Sequence, residues 1–224
     1  SSLLRPWIAT KGVEFRAHVG AIGSIQAKSL NESPTEWTTE ESKHMRCYDA
    51  DAAKAMTELI TSYRKKRDSI GSRVDLVIDG LPLGVGEPWF DGLEPALARA
   101  MMSIPAARGV EFGHGFEVQT MTGSEHNSPW GGTSEDPVLV GEQPDGALAG
   151  LATGSPIHVQ IAFKPPSSIP QTQITLNVKT NKQEPLTVKG RHDPVLAPRA
   201  VAVVEAMAVL VISDLMIRGG FMDE

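Results

Sequence analysis

Residues 155–190 read SPIHVQIAFKPPSSIPQTQITLNVKTNKQEPLTVKG. Ile157, Val159, Ile161 and Phe163 alternate with His158, Gln160 and Lys164, and Ile174, Leu176 and Val178 repeat the pattern. A period of two is that of a strand with one buried face. The segment predicts an antiparallel meander, in which NKQEP (181–185) turns the chain into a third strand at LTVKG (186–190). Strands adjacent in sequence, with helices gathered around them, indicate α+β rather than a doubly wound parallel sheet.

The flanks extend this pattern. In GVEFRAHVG (12–20), Val13, Phe15, Ala17 and Val19 alternate with Glu14, Arg16 and His18, which predicts a strand whose His18 faces solvent. Residues 49–71 space Ala52, Ala55, Met56, Leu59, Ile60 and Tyr63 at helical intervals and close in a basic last turn that suits the helix dipole. RVDLVIDG (73–80) is a short β-branched strand, and LPLGVGEPWFDG (81–92) is a loop dense in Gly and Pro. Asp91, with Glu94 three residues on, predicts a capped helix with Leu93, Leu97, Ala98 and Met101 on its inner stripe. Further strands are expected at RGVEFG (108–113) and GFEVQTM (115–121), and residues 122–150 read as a long functional or poorly ordered loop. The apolar run 200–217 is interrupted by Glu205, Ser213 and Asp214, which favours a buried core helix over a membrane span.

Composition narrows the function classes. The 224 residues carry 21 Lys and Arg against 27 Asp and Glu, with no block of like charge, so a nucleic-acid or membrane-surface role is disfavoured. One cysteine, Cys47, leaves no internal disulfide and no CxxC pair. The first residues contain no apolar core suited to a signal peptide, and cytoplasm is the expected location. One compact domain over 1–224 is expected.

Several stretches could carry chemistry. KPPSS (164–168) ends a strand with a cation, two rigid prolines and two hydroxyls, a cradle for an anion or a ring edge, or an ordinary strand exit. Gly146, Gly150 and Gly154 recur every four residues, which permits close backbone approach but is neither a dinucleotide fingerprint nor a P-loop. In KGRHDPVLAPRA (189–200), Asp193 is either a helix-capping carboxylate paired with Arg191 or a proton-handling group, with Arg191 binding an anion and His192 relaying a proton. His114 and His126 stand in loops that could be functional, while His44 and His158 read as ordinary surface or strand residues. No histidine has metal-ligand spacing, so no metal is expected.

Five motifs in one order resemble the chorismate synthase family: residues 81–113 from LPLGVGEPWFDG to GVEFG, GSEHN (123–127), GALAGLATGSPI (146–157), AFKPPSSI (162–169) and KGRHDPVLAPRA with its apolar continuation to 216. The resemblance implies a β-α-β sandwich with antiparallel sheets and long loops around a flavin site, in a homotetramer. It implies a lyase that converts 5-enolpyruvylshikimate 3-phosphate into chorismate and phosphate by 1,4-elimination. Reduced FMN is required without net redox change, and NADPH is a possible reductant. By match of position, FMN contacts fall on Pro105, Ala106, Ala149, Lys164, Pro165, Pro166, Ser167, Ser168 and Arg191, and the aspartate near the flavin on Asp193. His192 is then motif context.

Some positions depart from the family pattern. Pro105 stands where Asn is frequent, Ala149 replaces a usual glycine, Val195 a usual cysteine, and Arg67 and Ser72 two glycines of a substrate-side loop. The family's front segment, with its histidines and an Arg-Ser-Ser-Ala stretch, has no counterpart here, so the chain is expected to correspond to the C-terminal two thirds. A non-catalytic remnant, or a small-molecule-binding domain with an anion site at Arg191, are the alternatives.

Overall fold

The computed structural model describes residues 3–135, 137–141 and 145–222. In chain order the elements are α1 (Leu4–Ala9), β1 (Glu14–Ile22), β2 (Ile25–Gln26), α2 (Glu40–Met45), α3 (Ala50–Lys65), β3 (Ser72–Asp79), α4 (Leu93–Met102) and β4 (Ala107–Phe112). They continue with α5 (Gly123–His126), β5 (Trp130–Gly132), β6 (Pro137–Leu139), β7 (Ala147–Leu148), β8 (Leu151–Ala152), β9 (Ile157–Phe163), β10 (Thr172–Asn177), β11 (Lys182–Thr187) and α6 (Ala197–Arg218).

Five strands form one antiparallel sheet in the order β2-β1-β3-β9-β4. The period-two pattern builds its two unlike faces. Ala17, Leu76, Val159 and Phe112 lie in one cross-strand row on the apolar face; His18, Asp75, Gln160 and Glu111 lie in the next, on the polar face. Against the apolar face runs α6, packed on β1, β3 and α4. Its buried positions Ala197, Val201, Val204, Ala208, Ile212, Leu215 and Met216 recur at three- and four-residue steps. By length and composition α6 could cross a membrane; here it is the central core helix. Glu205, the acidic break in its run, accepts the Ala17 amide at 3.1 Å and pairs with Arg5 at 2.9 Å, tying α1 and β1 to the helix.

Several expectations are corrected. β9 does not pair with β10: it lies between β3 and β4, while β10 and β11 form a separate hairpin. The alternation predicts strands but not partners, and the KPPSS turn carries the chain off the sheet. The hairpin turns at 178–181, so Lys182–Thr187 is strand, and the ladder ends at Thr187. GFEVQTM is a 3-10 helix at Gly115–Thr120, because Gly113 and Gly115 adopt positive φ and break the strand. Gly92, not Asp91, caps α4, and Asp91 instead faces Arg99 and Arg218 at 3.6 and 3.5 Å. Residues 122–150 contain α5, which starts in a Thr122–Glu125 capping box, and the β5–β6 hairpin; positions 136 and 142–144 of that predicted loop lie outside the described residues.

His18 does not face solvent: it is fully buried. It lies on the polar face as its register requires, but the segment after β2 folds over that face and stacks Tyr48 on the ring, with Trp37 on Tyr48.

Candidate anion and flavin site

The approach to α6 is fixed at both ends. The Pro194 carbonyl accepts from the Ile70 amide at 2.9 Å, which pins the turn to the loop after α3. Pro198 occupies the first turn of α6, where a missing N–H costs nothing. The helix begins at Ala197 with Leu196 as its N-cap, and no side chain caps it. Asp193 is therefore not a cap. Its Oδ2 accepts from Arg199 Nη1 at 2.6 Å, and its Oδ1 faces Arg191 Nη2 at 3.6 Å. The carboxylate is held between two guanidiniums, with the helix as a stiff mount for the nearer one.

Ser168 meets this turn directly, and other predicted residues are linked to it through neighbouring hydrogen bonds. The Lys164 amide donates to the Ala106 carbonyl at 3.0 Å, joining the end of β9 to the residues before β4. Ser69 Oγ donates to the Pro166 carbonyl at 2.6 Å, and Ser168 Oγ lies 3.0 Å from His192 Nδ1. His192 Nε2 is 3.2 Å from the Val188 carbonyl, which can only accept. The ring therefore donates from Nε2 to Val188, and the Ser168 hydroxyl can donate to Nδ1 or accept from it. Thus Pro105–Ala106, Lys164–Ser168 and Arg191–Asp193 form one cluster, stitched mostly through backbone and leaving the Lys164 and Ser167 side chains exposed.

Ala149 stands apart. It turns the β7–β8 hairpin, and Gly150 beside it receives the Leu93 amide at the start of α4, whereas Pro105 and Ala106 follow the end of that helix. The two ends of β9 are about 20 Å apart by strand rise, so one chain does not bring Ala149 to the rest.

Beside Asp193 opens a cleft of about 730 Å³. Arg191, Asp193 and Arg199, from the turn into α6 and its first turn, line it together with Lys43, Arg46 and Arg64 from the ends of α2 and α3, and with Ile60 and Val195. Five permanent cations meet two carboxylates, Asp193 and Glu40, in a chain whose net charge is −6. Sequence reasoning missed Lys43, Arg46, Arg64 and Arg199 as site residues. The basic last turn of α3 was visible but is equally well explained by the helix dipole. His44, read as an ordinary surface residue, also lines the cleft.

The Chorismate synthase family model matches residues 1–217. The chain belongs to the chorismate synthase family. Its relatives include the chorismate synthases of Methanosarcina acetivorans, 39% identical over 222 residues, and Methanococcoides burtonii, 42% identical over 213. These alignments cover 99% and 93% of this chain but 60% and 57% of the relatives, so the chain spans about 60% of their length. A solved chorismate synthase structure superposes with a TM-score of 0.74 at 22% identity, covering 97% of this chain and 61% of that one, which establishes the α+β fold.

Family membership gives physical meaning to the departures. Arg67 and Ala149, which the resemblance places at glycine positions, have φ of 57° and 53°, the left-handed region that glycine enters without a Cβ penalty. Ser72, at a third glycine position, buries a hydroxyl that meets no partner among the described residues. Ala106 is also left-handed, at φ 72°, so the chain holds its Pro105–Ala106 peptide in a strained turn.

The remaining ionisable groups lie elsewhere. His126 pairs with Asp145 at 2.9 Å, and its ring lies 6.1 Å from His114. Among the described residues no three His, Cys, Asp or Glu side chains are grouped to hold a metal ion. Burial pushes the Cys47 thiol up to about 11, which leaves it a poor nucleophile. Asp75 is opposed in ionising by its burial, but the His18 ring and the Arg73 fork outweigh this and hold its carboxyl below the usual range. The Arg73 contacts are 2.6 and 2.9 Å and the His18 contact 3.9 Å, too long for a hydrogen bond, so the guanidinium dominates the attraction.

Proposed function

We propose that this chain serves a lyase that converts 5-enolpyruvylshikimate 3-phosphate into chorismate and phosphate, in the cytoplasm, with reduced FMN and with NADPH as a possible reductant. The observation that carries the proposal is the Asp193 carboxylate held between Arg191 and Arg199, on the same turn that meets the Lys164–Ser168 stretch, in a chorismate synthase family chain.

The donor set suits a flavin and its phosphate. Arg191 and Lys164 supply cations, Ser167 and Ser168 supply hydroxyls, and the Pro105–Ala106 and Pro165–Pro166 peptides offer rigid edges for a polar ring. When bound, reduced flavin supplies an electron-rich ring beside which phosphate can leave without net redox change. The protein's own part is electrostatic. In a 1,4-elimination the C–O bond breaks with its electron pair leaving on phosphate, a ring proton is removed, and the C–H pair forms a new double bond while the existing one shifts to the carbon that held the phosphate. Cations lining the cleft stabilise the charge that grows on the departing phosphate. The Asp193 carboxylate, oriented by Arg199, accepts or steers the proton.

The chain acts as one unit over residues 1–224 in this proposal, and as part of a homotetramer. The separation of Ala149 from the other assigned contacts supports assembly, since a second copy would bring the β7–β8 turn of one chain to the cluster of another.

Anaerobic incubation of the purified protein with reduced FMN and enolpyruvylshikimate phosphate tests the proposal, with chorismate followed by absorbance. Chorismate formation is expected. Flavin binding without chorismate would overturn the catalytic reading and leave a binding module.

A further inference from the structure

We propose that Lys43, Arg46 and Arg64 form a phosphomonoester-binding subsite in the cleft that Arg191, Asp193 and Arg199 also line. The inference rests on the lyase proposal only for which phosphomonoester is bound.

The charge distribution is the first argument. The protein is acidic, yet five cations line its Asp193 cleft against two carboxylates. Arg191 and Arg199 are engaged by Asp193. Lys43, Arg46 and Arg64 have no carboxylate within ion-pair distance among the described residues, although they line the same cleft. Like charges converging on a cleft repel each other, and they focus a field that draws anions.

Backbone geometry is the second. Arg46 ends α2 in the left-handed region at φ 56°, an uncommon state for a non-glycine residue. Its amide bonds the Lys43 carbonyl at 3.3 Å, and its own carbonyl accepts from Val19 in β1 at 2.8 Å. The strained residue is thereby locked to the sheet, and its half-buried side chain starts from a fixed point. Arg64 enters from the last turn of α3, where the helix dipole accounts for a cation but not for its place in the cleft.

The ligand chemistry follows from the two groups of charges. Asp193 repels an anion on its own side, while on the other Lys43, Arg46 and Arg64 outnumber the single carboxylate of Glu40, so a compact dianion sits against these three cations and the remainder of the molecule extends toward Asp193. A phosphate monoester fits, because arginine forks match its oxygens in paired hydrogen bonds. Both FMN and enolpyruvylshikimate phosphate carry this group.

Calorimetric titration of the full chain in phosphate-free, low-salt buffer tests the subsite, with inorganic phosphate, FMN and enolpyruvylshikimate phosphate as separate probes. Arg46→Gln and Arg64→Gln are each expected to weaken at least one probe about tenfold, the loss of one charge-assisted contact. Lys179→Gln, in the exposed hairpin turn, should change nothing, and Arg64→Lys should retain part of the affinity. A loss for FMN alone assigns the flavin phosphate, and a loss for enolpyruvylshikimate phosphate alone assigns the leaving phosphate. The proposal is overturned if no probe binds the parent chain, or if both glutamine variants bind within twofold of it. Circular dichroism monitors folding, and Arg64→Gln decides alone if Arg46→Gln unfolds. Should binding losses appear while chorismate is never formed, the lyase proposal fails and the subsite stands.

Discussion

Replacing Asp193 by Asn separates the two roles that its position before a long helix suggests. Were it the N-cap of α6, the change would disturb the central core helix; the structure places Leu196 there, with no side-chain cap. What Asn removes is the 2.6 Å contact with Arg199 and the longer one with Arg191. The Arg199 side chain is 64% exposed and that of Asp193 32%, so solvent screens the pair and it contributes about 0–1 kcal/mol. For a chain of this size that corresponds to a fall in Tm of at most about 2–4 °C. Loss of proton handling is worth far more, roughly 10²–10⁴-fold in turnover. Scanning calorimetry, flavin binding and chorismate formation should therefore diverge: near-parental Tm, retained flavin binding, and turnover reduced at least a hundredfold. A Tm fall beyond about 8 °C would refute the absence of a capping role, and parental turnover would refute the catalytic one.

Two further substitutions probe the scaffold. Arg73→Gln leaves Asp75 buried beside His18 without its guanidinium, and should cost roughly 2–3 kcal/mol at pH 7. Asp75 has a lowered folded pKa, so its contribution is complete above the unfolded value of about 3.9 and is lost as pH falls through the lower folded value. Urea titrations at pH 7 and pH 3 should show the gap between parent and variant closing in acid; a gap independent of pH would contradict the ion-pair account. Ala149→Gly relieves a left-handed alanine at φ 53° and should raise stability by up to about 1 kcal/mol. An equally large loss in the same urea assay would mean that the turn is not strained.

The fold was legible where burial imposes a period. Phe15, Ala17 and Val19 in β1, and Ile157, Val159 and Ile161 in β9, alternate because one face of each strand joins the buried core, and α6 declares itself by an apolar run whose acidic break, Glu205, bonds β1. Pairing was not legible. Nothing in the alternation of Ile174 and Leu176 distinguishes a strand in the main sheet from one in a detached hairpin, since a period of two reports two unlike faces and not the neighbour at the edge. His18 shows the same gap from the other side: its register put it on the polar face, but only the fold of residues 27–49 over that face decides that it is buried.

For the candidate site, motif order located the turn and tertiary structure supplied the partners. Arg191 is two residues from Asp193 and was the obvious ion pair, yet Arg199 is the closer, because the first turn of α6 rotates its side chain back over the residues that precede it. Lys43, Arg46 and Arg64 lie more than a hundred residues earlier in a chain with an excess of acidic groups, so no local composition marks them. They face the same cleft because the Ile70 amide binds the Pro194 carbonyl, which draws the turn before α6 onto the loop after α3. That backbone hydrogen bond joins the Arg64 side of the cleft to the turn that carries Arg191 and Asp193, while the Val19 amide holds Arg46 to β1. A substitution that shifts that loop should alter anion binding without touching a charged residue, which links the glycine-replacing residues Arg67 and Ser72 to the same site through geometry alone.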